Sequence, residues 1–133
     1  MSEHEFVLPC YLTLGKKNPK KISLTLNWYR NAFSHSSNTI KQMYAPIKGK
    51  ANFKAKQIKI RYVLVLTSGA RTDVMNWIAV ADKFFSDWLV AQGVVKDDGF
   101  KFMGSGGWDH EINRSAPENY IKATVITVEE DVA

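Results

Sequence analysis

The sequence predicts an α/β fold of the mixed α+β kind, with one mixed β-sheet and two main helices packed on it. Three observations predict it. A β-rich run over 57–67 comes just before a long amphipathic helix, an alternating run closes the chain, and no internal repeat divides it. With 133 residues and 45% hydrophobic composition, the chain can bury a core of its own as a single domain over 1–133.

The first third of the chain is expected to form strands. Residues 1–5 are predicted to be a loose terminus, and residues 6–14 a strand that Pro9 places at a sheet edge or a bulge. A second, half-buried strand is predicted where apolar and polar residues alternate, at Ile22, Leu24 and Leu26.

The next segments connect this part to the sheet. Residues 28–35 are interpreted as a loop or a strand extension, and residues 36–47 as a short helix whose regular length Pro46 limits. The run over 57–67 is rich in β-branched and large apolar residues, which is typical of a strand.

A long helix follows this strand. Asp73 is suited to its N-cap and Gly93 to the position just past its end. Between them, apolar residues recur at steps of three and four and predict one broad buried face: Trp77, Val80, Ala81, Phe84, Trp88 and Leu89.

The rest of the chain is predicted to turn and return to the sheet. Residues 97–99 suit an acidic turn, 100–103 a brief strand, and 104–107 a glycine-rich bend. Residues 108–119 are expected to be a loop, and the alternating residues 120–128 a closing strand.

Charge is unevenly placed along the chain. The net charge is +5, from 18 Lys and Arg against 13 Asp and Glu, yet every charged residue from Lys16 to Arg61 is basic. A basic block beside acidic residues suggests a surface that holds a polyanion next to a metal site. Solvated lysines without a ligand are the ordinary alternative.

Three carboxylates flank the long helix. Asp73 stands at its head, and Asp97 and Asp98 follow its end, so a turn that brought them back towards Asp73 would gather them on one sheet edge. Such a group of oxygen ligands is what Mg²⁺ requires. A helix cap for Asp73 and a turn signal for Asp97-Asp98-Gly99 are the alternatives.

Several classes of protein and site are disfavoured. The single cysteine, Cys10, excludes an internal disulfide and a Cys-rich zinc site, and makes a cytoplasmic setting the default. No run approaches the roughly 20 apolar residues of a membrane span. The glycine run at 104–107 does not join a strand to a helix as a phosphate loop does, so no nucleotide cofactor is expected.

The ordered elements from Arg71 to Asp98 resemble the RusA-type Holliday junction resolvases of bacteria and their phages. That family has R-x-D-x-D-N at the head of a helix, then a D-x-L element, a glycine and a D-D pair. Here Arg71-Thr72-Asp73-Val74-Met75-Asn76 precedes Asp87-Trp88-Leu89, Gly93 and Asp97-Asp98. The strand and loop before Tyr29-Arg30-Asn31 and the late strand near Tyr120 also resemble the phage branch of this family, so the resemblance covers about two-thirds of the chain.

The resemblance implies a magnesium-dependent, homodimeric endonuclease that cuts four-way DNA junctions. Asp73 and Asp98 would be catalytic metal ligands, with Asp97 or Asp82 as a further ligand, and Lys83 would match the family's helix lysine. Residues expected to contact DNA are Arg30, Lys48, Lys50, Lys54, Lys56, Arg71 and Asn76.

One residue departs from the family pattern. Met75 occupies the position of the motif's second aspartate, and a thioether is a poor ligand for a hard cation such as Mg²⁺. The sequence therefore leaves three alternatives open: compensation by Asp82 or Asp97, weaker metal binding, or a non-catalytic DNA-binding protein on the same fold. A binding module unrelated to DNA is a fourth.

Overall fold

The structure is a computed structural model that describes residues 2–14, 17–31, 51–69, 73–97, 99 and 101–130. Within these residues the chain forms a mixed sheet, a second small sheet and two helices, which confirms the predicted fold class. In chain order the elements are β1 (Glu3–Pro9), β2 (Tyr11–Leu14), β3 (Lys20–Ser23), α1 (Leu26–Asn31), β4 (Ala55–Leu66), α2 (Val74–Ala91), β5 (Met103–Ile112) and β6 (Tyr120–Glu130).

The main sheet has the strand order β1-β6-β4-β5. β6 is antiparallel to both its neighbours, whereas β4 and β5 are parallel. Parallel neighbours need a crossover connection, and α2 supplies it between β4 and β5. The head of α2 therefore follows the carboxyl end of β4, and its far end returns to the amino end of that strand. β2 and β3 form a separate antiparallel pair.

The core lies between α2 and one face of the sheet. Alternate residues of β4 and β6 are buried, as the period of two predicts. Helix α2 contributes Ile78, Val80, Ala81, Phe84, Phe85, Trp88 and Leu89. Phe85 is stacked with Trp88, with ring centroids 5.8 Å apart, and both rings contact Phe6 of β1.

The predicted bounds of α2 are confirmed. Asp73 is its N-cap residue and Gln92 its C-cap. Gly93 follows with φ of 77°, a conformation that a residue without Cβ adopts at little cost. Local signals specified both ends because helix hydrogen bonds join residues only four positions apart.

The prediction of a loose N-terminus is wrong for residues 3–5, which belong to β1. The amide of Ser2 also donates to Oγ1 of Thr127, 2.9 Å away, and Thr127 is buried. Pairing with β6 orders this segment, and its own composition does not reveal that partner. The expectation that Pro9 lies in an edge strand is confirmed, since among the described strands β1 pairs only with β6.

Residues 26–31 form a helix, not the predicted strand and loop. The Thr25 hydroxyl accepts from the amide of Trp28 at 3.3 Å, and the Thr25 carbonyl accepts from the amide of Tyr29 at 2.9 Å. This capping begins α1 at Leu26, so the alternation at Ile22, Leu24 and Leu26 extends beyond the strand. The helix predicted over 36–47 lies outside the described residues.

The prediction of a bend and a loop over 104–112 is also wrong, because these residues form β5. A Cβ at Gly106 would lie 3.0 Å from the backbone nitrogen of Arg61, so glycine allows the two strands to approach. The pairing shifts register between Ile60 and Tyr62, next to this glycine. The closing strand is confirmed, as β6, and it lies inside the sheet.

Candidate functional site

Asp73 lies at the head of α2, just past the carboxyl end of β4. It is exposed, and its side chain makes no capping hydrogen bond although its backbone occupies the N-cap position. A carboxylate at a helix N-terminus is stabilised by the positive end of the helix dipole. Because the side chain makes no capping hydrogen bond, its oxygens are available to an external cation or donor. Interpreting Asp73 only as a capping side chain would not have predicted this.

Asn76 stands in the first turn of α2 and joins the two helices. Its Oδ1 accepts a hydrogen bond from the amide of Leu26, the first residue of α1, at 3.0 Å. Helix α1 consequently docks beside the head of α2 and carries Arg30, which is exposed, in its last turn. The predicted contact of Asn76 with DNA would have to use its amide NH₂ group.

Asp82 and Lys83 lie midway along α2. Oδ1 of Asp82 accepts from the hydroxyl of Tyr62 at 2.6 Å and from Oγ of Ser86 at 3.2 Å. Tyr62 is a buried residue of β4, so its bond to Asp82 ties the helix to the sheet, whereas the bond from Ser86 lies within the helix. Lys83 is exposed, and its Nζ lies 5.9 Å from the ring centroid of Tyr29 in α1.

Magnesium does not fit the described carboxylates of a single chain. Asp73 and Asp82 are nine residues apart on one helix, which corresponds to about 13 Å along the axis and half a turn around it. Among the described residues, no group of three or more His, Cys, Asp or Glu side chains could hold a metal ion.

Asp97 is farther away still. Helix α2 has 18 residues and is therefore about 27 Å long. Past its end, the Val94 carbonyl accepts from the amide of Ala55 at the amino end of β4. Three extended residues reach at most about 11 Å from Val94 to Asp97. The expectation that the turn brings Asp97 back to Asp73 is wrong within one chain, because the helix holds the two at opposite sheet edges.

The amino end of β4 carries a cleft of about 760 Å³. Lys54 and Lys56, which the sequence nominated as DNA contacts, line it together with Lys96 and Lys101. We call these four residues the lysine cleft. Sequence reasoning missed Lys96 and Lys101, although they flank the acidic turn on both sides and so share its position in the fold.

Other lysines are already paired. Nζ of Lys21 lies 2.7 Å from the Glu118 carboxylate, and Nζ of Lys122 lies 2.6 Å from that of Glu111. These hydrogen bonds raise the pKa of both lysines above the usual value. Pairing of this kind leaves less charge for a polyanion.

The remaining predicted residues are accounted for as follows. Met75 is 39% exposed beside Asp73, at the head of α2. Cys10 is buried, and Trp108 is exposed on β5. Four predicted site residues lie outside the described residues: Lys48, Lys50, Arg71 and Asp98.

The chain was compared with known proteins. No protein-family model matches it, and no curated protein gives a significant match. The family resemblance therefore depends on the motif residues alone. Neither α1 nor α2, the helices of the described residues, is long and apolar enough to cross a membrane.

Proposed function

We propose that the protein is a magnesium-dependent endonuclease that cuts branched DNA, four-way junctions in particular, as a homodimer. The observation that carries the proposal is Asp73: an exposed carboxylate at the head of the longest described helix that does not cap it. The RusA-type motif places a metal ligand at this position. The basic residues of the chain support a polyanionic substrate.

The length of α2 leads to the proposed arrangement of the metal site. Because Asp73 and Asp97 lie at opposite ends of a helix about 27 Å long, one chain cannot bring them to one ion. In a two-fold dimer with antiparallel α2 helices, Asp73 of one chain could face Asp97 and Asp98 of its partner. Each dimer would then hold two equivalent sites.

Paired sites suit a junction, in which two strands must be cut. When bound, Mg²⁺ supplies the charge that activates water and offsets charge on the phosphate. The residues of this chain would hold and orient the substrate: Lys83 and Arg30 expose positive charge on α2 and α1, two helices that pack side by side. Such contacts recognise the DNA backbone and its shape instead of its base sequence.

Mixed dimers test this arrangement. Asp73→Asn and the double variant Asp97→Asn/Asp98→Asn should each abolish nicking of a labelled junction. Random mixing of the two makes dimers in which one site keeps all its carboxylates and the other loses them all. We expect about a quarter of the wild-type sites to return, as single nicks instead of paired cuts.

Two outcomes would contradict the proposal in different ways. If mixtures stay inactive while the wild type cuts, the site lies within one chain and the shared arrangement is wrong. If the wild type, purified with Mg²⁺, neither binds nor nicks the junction, the endonuclease function itself is wrong. Asp109→Asn, an exposed carboxylate of β5 outside the motif, is the matched control and should leave nicking unchanged.

A non-catalytic DNA-binding protein is the second candidate, and Met75 favours it. The side chain is 39% exposed at the head of α2, where an aspartate would also reach solvent. We therefore expect Met75→Asp to fold normally. Binding without nicking in the wild type, with nicking restored by Met75→Asp, would identify a protein that kept the DNA surface and lost a metal ligand.

A further inference from the structure

The lysine cleft is separate from the site around Asp73. It lies at the amino end of β4 and the far end of α2, one helix length away. Its four lysines come from two segments, one before β4 and within its first residues, the other on the loop that leads to β5. In the proposed dimer the partner's Asp73 would lie beside Asp97, next to this cleft, but no residue of the cleft is a proposed metal ligand, so binding to it can be measured without Mg²⁺.

The charge of the cleft is available to an anion. Lys54, Lys96 and Lys101 are exposed, and within the described part of the chain no carboxylate forms an ion pair with them. This contrasts with Lys21 and Lys122, which carboxylates neutralise. Clustered lysines of one sign raise the local concentration of a polyanion.

The end of α2 opposes an anion only weakly. A helix C-terminus carries about half a negative charge on its free carbonyls. Here the amides of Gln92, Gly93 and Val94 donate to the carbonyls of Trp88, Val90 and Leu89, at 2.8–3.0 Å. Because these carbonyls are satisfied within the chain, the helix end does little to offset the charge of Lys54, Lys96 and Lys101.

The floor of the cleft is apolar. Val90, Val94, Val95 and Phe102 line the cleft together with the lysines, and we call this apolar part of its lining the floor. Phe102 packs against the core but remains partly exposed. Duplex DNA offers phosphates and the edges of its bases to a surface, but the faces of its bases are stacked inside. An unpaired strand offers both its phosphates and the face of a base, which match the lysines and the aromatic ring of Phe102 that line the cleft.

We propose that the lysine cleft binds an unpaired DNA strand, with phosphates on the lysines and a base against Phe102. The volume of about 760 Å³ is within the range of small-molecule sites and admits a nucleotide. The inference depends on the proposed function in taking DNA as the ligand. It adds a preference for unpaired strands, such as those opened near a branch point.

Binding of a fluorescent oligothymidylate, measured by anisotropy in EDTA, tests the role of the lysines. Lys96→Gln/Lys101→Gln should weaken binding at least roughly tenfold and reduce the slope of log K against log salt concentration by about 1.4, since each contact with a single strand contributes about 0.7. The matched control, Arg114→Gln/Lys122→Gln, removes the same charge from positions outside both the cleft and the basic block from Lys16 to Arg61. It should change affinity less than about twofold.

Phe102→Leu tests the aromatic floor while keeping an apolar side chain in the core. We expect single-strand affinity to fall at least roughly fivefold with an unchanged salt slope, and duplex affinity to stay the same. Circular dichroism and thermal unfolding establish that each variant is folded.

Three results would overturn the inference: equal losses in the control and the cleft variant, no effect of Phe102→Leu, or no binding of the oligothymidylate by the wild type. The assay contains no Mg²⁺, so it is independent of cleavage. Cleft-dependent binding without junction nicking contradicts only the proposed function. Junction nicking with cleft variants that bind like the wild type contradicts only this inference.

Discussion

Asp73 and Asp82 have the same type of side chain but lie in different surroundings. Asp82 accepts a hydrogen bond from the buried hydroxyl of Tyr62, and this bond helps to fasten α2 to the sheet. Asp73 has no capping bond and faces solvent. Residue identity alone does not distinguish a structural carboxylate from a candidate metal ligand. The atoms around each carboxylate make that distinction.

Cys10 provides a prediction at the residue scale. Burial raises the pKa of its thiol to about 12 from its ordinary value of 9.0, with a smaller contribution from Glu118. The folded protein therefore holds the neutral thiol, while the unfolded chain releases the proton above pH 9. The stabilisation from this group is complete below that pH and is lost as the pH rises towards 12.

We expect the free energy of unfolding of the wild type to fall between pH 9 and 12. The free energy of unfolding of Cys10→Ala should fall less steeply, with a slope smaller by up to about 1.4 kcal/mol per pH unit. Urea titrations across this range measure both slopes. The native thiol should also resist alkylation at pH 8 and react once urea unfolds the chain. Rapid alkylation of the folded protein would contradict the burial of Cys10.

At the scale of elements, α2 sets the distances between candidate groups. Its length separates Asp73 from Asp97, and its first turn positions α1 through Asn76. The contact between α1 and α2 also brings Lys83 near Tyr29. A helix is a rigid spacer, so the carboxylates at its two ends cannot approach each other within one chain.

Asn76 supplies the prediction for this scale. Asn76→Ala leaves the amide of Leu26 without its acceptor, and we expect a loss of about 1 kcal/mol in the free energy of unfolding, measured by urea denaturation. Asn76→Asp keeps an oxygen acceptor and should be closer to the wild type.

The same pair of variants separates the structural role of Asn76 from contact with DNA. If the side chain touches a phosphate, Asn76→Asp should weaken DNA binding by charge repulsion while the fold stays stable. Equal stability of Asn76→Ala and the wild type would show that the bond to Leu26 contributes nothing to the fold.

At the scale of the whole molecule, Asp73 and the lysine cleft of the same chain lie at opposite ends of β4. The head of α2, with Asp73, lies at the carboxyl end of β4, and the lysine cleft lies at its amino end. The proposed metal site needs two chains, whereas the cleft is complete in one. The two activities should therefore respond differently to dissociation of the dimer.

Dilution tests this difference. Nicking per chain should decrease as the protein is diluted below the dissociation constant of the dimer, in proportion to the dimer fraction measured by sedimentation. Binding of the oligothymidylate by the cleft should retain its affinity per chain. Constant nicking per chain in a solution of monomers would show that one chain forms the whole catalytic site.

The sequence by itself determined the elements whose signals are local. The bounds of α2 follow from Asp73 and Gly93, and its buried face from the spacing of Val80, Phe84 and Trp88. The fold class follows from the order of the predicted elements. The strands predicted over 57–67 and 120–128 form as β4 and β6, the first indicated by its β-rich composition and the second by its alternation. These predictions succeeded because helix bonds and side-chain alternation relate residues that are close in the chain.

Only the tertiary structure decided what depends on distant partners. Residues 3–5 and 104–112 are strands because β6 and β4 pair with them. The glycine-rich composition of residues 104–107 suggested a bend, whereas Gly106 in fact allows β4 and β5 to approach closely. The crossover of α2 separates Asp73 from Asp97, and it also places Lys54 and Lys101 in the lining of the same cleft. Pairing and crossover join residues tens of positions apart, and local patterns do not encode those distances.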